Sequence, residues 1–121
     1  GKEFHFKNFE KSAQYYNALL KRYPSFKGID DKTLFAAGIA AYESGKHYKW
    51  AESHLQSLVK KYPKSKFYRG AKLWLALSKL NMGDKKYFYS TVEEFRQKYR
   101  NTHEWKILSR HYETITRNYQ K

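Results

Sequence analysis

Leu19-Leu20-Lys21-Arg22-Tyr23-Pro24 recurs 39 positions later as Leu58-Val59-Lys60-Lys61-Tyr62-Pro63, and a third copy reads Phe95-Arg96-Gln97-Lys98-Tyr99-Arg100. Each copy closes a stripe of residues stepped by three and four. The stripes are Phe9, Ser12, Tyr16, Leu19 and Tyr23, then Tyr48, Ala51, Leu55, Leu58 and Tyr62, then Phe88, Val92, Phe95 and Tyr99. That step returns to one side of an α-helix at every turn, so each stripe predicts a helix with one buried face. Between the stripes lie segments in which Gly38, Tyr42 and Gly45 correspond to Ala76, Leu80 and Gly83. Two helices in a period of about 38 residues predict stacked hairpins, because each repeat completes its core only against its neighbours.

The punctuation between these segments agrees. Asp30 or Asp31, Ser65 and Asn101 stand where a side-chain oxygen can accept the free amide hydrogens of a first helical turn. Asn101 and Glu104 have the spacing of a capping box. Gly45 and Gly83 fall where the first helix of each hairpin reverses, and Pro24 and Pro63 stop the second. Six helices follow, over 6–23, 31–44, 47–62, 66–82, 85–99 and 102–118. They divide one domain, 1–121, into a half-repeat (5–24), two repeats (30–63 and 65–100) and a terminal helix (102–118). The first helix has no partner of its own in this register, as in a half-repeat or a piece of a longer array.

Composition fits an all-α domain. Apolar residues make up 40% of the 121 and aromatics 19%, while only 6 glycines and 2 prolines occur. The chain therefore has enough apolar surface to fold and too few turn residues for a small β-barrel. No apolar run approaches the roughly 20 residues of a membrane-spanning helix. The absence of cysteine excludes thiol nucleophiles, disulfides and thiolate metal sites. Lysine and arginine outnumber aspartate and glutamate by 25 to 11, for a formal charge of +14. Such a surface attracts anionic partners: acidic protein, nucleic acid or an anionic envelope polymer.

Catalytic and cofactor patterns are missing. His47 and His54 lie on one prospective face, as do His103 and His111, but no carboxylate or cysteine set completes either pair, and both read as ordinary exposed or half-buried histidines. Ser57 and Lys60 have the Ser-x-x-Lys spacing without its companion motifs, and the glycines are dispersed rather than gathered into a phosphate loop. Asp30-Asp31 reads as a cap and Glu93-Glu94 as a solvated face. The chain is read as no enzyme, with no catalytic residue, metal or cofactor. Tyr15, Trp50, Tyr68, Tyr87 and Tyr89 fall outside the main stripes as candidate exposed rings, which with the lysines would suit single-stranded nucleic acid. No nucleic-acid-binding motif accompanies them.

Ala37-Gly38 and Tyr42, followed by Ala51, Leu55 and Pro63, resemble the tetratricopeptide repeat. The words Lys61-Tyr62-Pro63-Lys64-Ser65, with Gly45 and Tyr48 before Ala51, are similar to bacterial envelope members of that superfamily, of the outer-membrane assembly lipoprotein and Tol-Pal coordinator type. Three positions depart from the pattern: Phe88 stands where Ala51 predicts a small residue, Arg100 replaces proline, and Lys79 takes a usually aromatic place. The resemblance implies a right-handed superhelical α-solenoid acting as a protein-interaction scaffold. It implies a bacterial multiprotein or cell-envelope setting, in the periplasm or envelope, with the cytoplasm as the alternative. Groove positions carried over by spacing fall on Lys32, Phe35, Ile39 and Tyr42, on Arg69, Leu73, Leu77 and Leu80, and on Ile107, Arg110, Thr114 and Arg117. A peptide would then lie on an apolar groove with a cationic far end. The competing expectation is a polyanion-binding edge of Lys21, Arg22, Lys60, Lys61, Lys64, Lys66, Lys98 and Arg100, which recur at one place in successive repeats.

Overall fold

The computed structural model describes residues 2–22 and 30–120, with side chains from 9 to 117. These form six α-helices: α1 (Lys2–Arg22), α2 (Asp31–Glu43), α3 (Tyr48–Lys61), α4 (Tyr68–Asn81), α5 (Lys85–Lys98) and α6 (His103–Gln120). No strand occurs among the described residues, and none of the helices is long and apolar enough to cross a membrane. The expected six-helix all-α order holds, with α1 starting earlier and α4 later than the sequence pattern indicates. Tyr23 and Pro24 lie outside the described residues.

Each helix packs on the next in chain order, and α2 also meets α4, as α4 meets α6. The result is a stack of antiparallel hairpins in which α2, α4 and α6 stand side by side. Both glycine reversals are left-handed, at φ +74° for Gly45 and +95° for Gly83, a conformation that costs glycine least. At the second, Gly83 N–H reaches Leu80 O and Asp84 N–H reaches Lys79 O, which satisfies two of the last carbonyls of α4. At the first, the Ser44 hydroxyl donates to Ala41 O and accepts from Lys46 N–H, so a side chain does part of that work.

The helix starts agree with the sequence only in part. Asp30 caps α2, accepting from Thr33 N–H at 2.9 Å. Asp84 caps α5 through Tyr87 N–H, a cap the sequence pattern did not single out. Ser65 is not the cap of α4: its hydroxyl donates to Asp31 on α2 and accepts from Phe67 N–H, shaping a turn before the helix begins. Thr102, rather than Asn101, holds the first turn of α6 by accepting from Trp105 N–H, and Glu104 turns away from any capping box to accept from Arg69.

Two apolar clusters fill the stack. One gathers Leu34, Ala41, Ala51, Leu55, Leu58, Ala71 and Leu75 from α2, α3 and α4 with Ala13 of α1. The other gathers Leu73, Leu77, Phe88, Val92, Phe95 and Leu108 from α4, α5 and α6. The α3 and α5 stripes are therefore core, as expected. The α1 stripe is not: Phe9, Ser12, Tyr16 and Leu19 are only half-buried, and among the described side chains of α1 it is Ala13 that goes fully inside. The departures in the third repeat are absorbed. Phe88 is fully buried, and α4 meets α5 over a smaller face than α2 meets α3, as a large ring in place of an alanine requires. Lys79 pairs with Glu52 at 2.7 Å and lies over the Tyr87 ring, tying α4 to α3 and α5.

Gly38 sets the α2–α3 approach. A Cβ placed there would meet Leu55 Cγ and Cδ2 at 2.4 Å, so no larger side chain fits without parting the helices. Gly38→Leu is expected to cost about 1–3 kcal/mol by overpacking, read as a lower denaturation midpoint with an unchanged slope. An unchanged midpoint would mean that the two helices do not approach at this point.

Candidate functional site

The expected groove residues sit on the three helices that stand side by side, but they divide sharply by exposure. Lys32, Arg110, Thr114 and Arg117 are exposed; Phe35, Ile39, Tyr42, Leu80 and Ile107 are half-buried. Leu73 and Leu77 are each 1% exposed and belong to the second core cluster, so they are corrected from groove anchors to core. The cause is α5 and α6 together, whose Phe88, Val92, Phe95 and Leu108 close on these leucines and cover the face that spacing alone assigned to a ligand. Arg69 donates its Nε–H to Glu104 Oε1 at 2.6 Å and so serves to join α4 to α6. Tyr42 is likewise engaged, with its ring 5.1 Å from that of Trp74 and 5.5 Å from that of Tyr48. Ile107 and Leu80 pack on the second cluster.

Open apolar surface survives at the α2 end. Lys32, Phe35 and Ile39 line a concavity of about 420 Å³ together with Phe9, Ser12 and Tyr16 of α1 and Phe67 before α4. The Phe35 and Phe67 rings stack at 5.0 Å, and Phe35 lies over Gly70, where a Cβ would come within 3.0 Å of the ring. Gly70 thus lets the ring lie flat across to α4. Sequence spacing assigned Phe9 and Tyr16 to a buried stripe and Phe67 to no site, because which side of α1 is covered depends on helices distant in the chain.

The cations expected along one edge are all exposed at the ends of α1, α3 and α5 or in the turns that follow α3 and α5. The structure brings Lys21 and Lys61 into one pocket, with His54 and Ser57, and Lys64 and Lys66 into another, beside Arg69 and Tyr99. Lys60 is exposed in the last turn of α3, Arg22 in that of α1, and Arg100 just beyond α5. Lys98 lies 3.9 Å from Glu94. Glutamates are used to join helices: Glu10 to His47, Glu52 to Lys79, Glu94 to Lys72 and Glu104 to Arg69. That use leaves the surplus of lysine at the edge. Of the rings considered for base stacking, Tyr15 alone is exposed, while Trp50, Tyr68, Tyr87 and Tyr89 are half-buried, so the described surface offers no row of stacking platforms.

Residues 32–65 match the tetratricopeptide repeat. The matched stretch spans α2, α3 and the turn leading to α4, one hairpin of the stack, and supports membership of that superfamily. Tetratricopeptide arrays are binding scaffolds that present stacked helices to a partner, so the match supports a protein-interaction role. No curated protein matches the chain.

His47 is half-buried and His103 and His111 are exposed, as expected, while His54 is not. His47 donates from Nε2 to Glu10 Oε1 at 3.0 Å and stacks on Trp50 at 3.7 Å, latching α1 to the α2–α3 turn. That hydrogen bond holds the Glu10 carboxyl below the usual carboxylate range, against the opposite push of burial. His54 is neither exposed nor half-buried but 6% exposed, and its Nε2 has no partner. Burial pushes its imidazole down from 6.5 to about 4. Below pH about 6.5 the unfolded chain takes up a proton that the folded chain refuses, so this contribution is complete above that pH. It is lost as the pH falls toward about 4, where the folded form protonates too. The full loss is roughly 3 kcal/mol. His54→Leu is expected to flatten the fall in stability between pH 6.5 and 4 relative to wild type, measured by urea denaturation at each pH. Parallel curves would show that His54 is not the buried neutral base.

Proposed function

We propose that this chain is a scaffold that binds a peptide or partner protein along the face of α2, α4 and α6. The observation that carries the proposal is the concavity walled by Phe35, Ile39, Phe9, Tyr16 and Phe67, an open apolar surface beside Lys32 on a chain whose repeat belongs to a class built for binding. Apolar anchors there would supply affinity. The exposed Arg110 and Arg117 on α6 would give a cationic far end able to take a carboxylate in a bidentate pair. The formal charge of +14 favours an acidic partner and speeds its arrival. The resemblance of Lys61-Tyr62-Pro63-Lys64-Ser65 to envelope members of the superfamily supports a bacterial multiprotein or cell-envelope setting. The chain would act as one array of a half-repeat, two repeats and a terminal helix.

A second function is favoured by a separate observation, the exposed cations at the ends of α1, α3 and α5, which would bind nucleic acid or an anionic envelope polymer. Salt separates the two. Binding through phosphate-like contacts weakens steeply as salt rises, whereas apolar groove binding weakens little. For a partner captured from the native source, Phe35→Ala and Arg110→Glu are each expected to weaken binding about tenfold or more, with helicity retained by circular dichroism. Wild-type affinity in both folded variants would remove the groove from consideration. Loss of binding on reversing the charges of Lys60, Lys61, Lys64 and Lys66 would then assign function to the edge.

A further inference from the structure

A second cavity, of about 300 Å³, opens between α1 and α3 and shares no lining residue with the α2 concavity. Its inner wall includes His54, a histidine that the fold buries yet leaves without a hydrogen-bond partner at Nε2. A buried polar atom in that state is costly unless something satisfies it. Asn17 and Ser57 line the same cavity, and neither side chain holds a hydrogen bond among the described residues. Elsewhere the helical hydroxyls of Ser78, Thr91 and Thr116 are turned back onto the carbonyl one turn earlier. At the rim stand the exposed Lys21 and Lys61, with neither a carboxylate partner nor an acid in the lining among the described residues. Leu20, Leu34 and Tyr62 give the cavity an apolar side.

The geometry points to a binding site for a small amphiphilic organic anion, held between α1 and α3 with its charged head on Lys21, Lys61, Asn17 and Ser57 and its apolar body on Leu20, Leu34 and Tyr62. The volume fixes the size class. A bare carboxylate or inorganic phosphate would leave most of 300 Å³ empty, whereas a ring or short alkyl chain bearing such a head fills it. The imidazole is kept neutral by burial and stands in the inner wall, where its ring reports on what occupies the cavity. A carboxylate and a phosphate ester share this chemistry, and the choice between them belongs to the experiment.

The test titrates the whole chain with 4-phenylbutyrate, with phenyl phosphate and with the uncharged 4-phenylbutyramide, following the His54 ring resonances by NMR. At least one anion is expected to shift those resonances saturably with a Kd of about 0.1–1 mM, and the tighter of the two identifies the head group. Bound anion should also raise the pH at which His54 titrates, because a negative oxygen beside it favours the imidazolium, and a merely structural cavity would not show this. Ser57→Leu, which fills the space, should abolish the shift while leaving heparin binding by the basic edge unchanged. Lys21→Ala with Lys61→Ala should weaken binding about tenfold and decides the matter if the Ser57 variant fails to fold. No saturable shift with either anion up to about 10 mM, equal binding of the amide, or undiminished binding in both variants would overturn the site. None of these outcomes bears on the α2 concavity.

Discussion

The close approach of α2 and α3 at Gly38 governs the geometry of everything built upon it. With Leu55 occupying the space of a missing Cβ, the first complete hairpin closes tightly and its partner helices bury Ala37, Ala41, Ala51 and Leu58 completely. That hairpin is the platform against which α1 packs on one side and α4 on the other. The second hairpin is built differently. Phe88 fills the place of a small residue, α4 and α5 meet over a smaller face, and the second cluster depends on Leu108 of α6 to complete it. A stack whose hairpins differ in this way presents different surfaces at its two ends, apolar beside α2 and cationic along α6.

Charge reinforces the same architecture. Glutamates are few, and four of them form bridges between helices or between a helix and a turn: Glu10, Glu52, Glu94 and Glu104. Exposed single pairs contribute little, typically 0–1 kcal/mol, but these select which helix faces which. Lys79 carries a hydrogen bond to Glu52 that raises its pKa against the opposing effect of burial, and the Tyr87 ring covers it. Because the acids are used within the stack, the exposed basic surplus is left to the helix ends, where the macrodipole already favours cations. Dipole stabilisation and attraction of an anionic partner therefore draw on the same residues.

The helices, their order and their repeat are legible in the chain's residues, since a step of three and four residues and a left-handed glycine are local facts. Gly45 and Gly83 adopt the positive φ that their positions require, and Leu55, Leu58, Val92 and Phe95 are core as their spacing demands. Local capping was legible where the partner lay within the same turn, as for Asp30 and Thr33. It misled where the side chain had a distant alternative: Ser65 turns to Asp31, and Glu104 to Arg69.

Exposure depends on how the helices pack. Leu73 and Leu77 occupy the spacing of groove residues, yet α5 and α6 close on them, while Phe9 and Tyr16 have the spacing of core and remain half-open. The same holds for His54, which the packed stack buries with its Nε2 unpaired. Periodicity tells which residues share a face of a helix, because that is geometry within one helix. What covers that face is a matter of helices far apart in the chain, and no spacing within one helix records it.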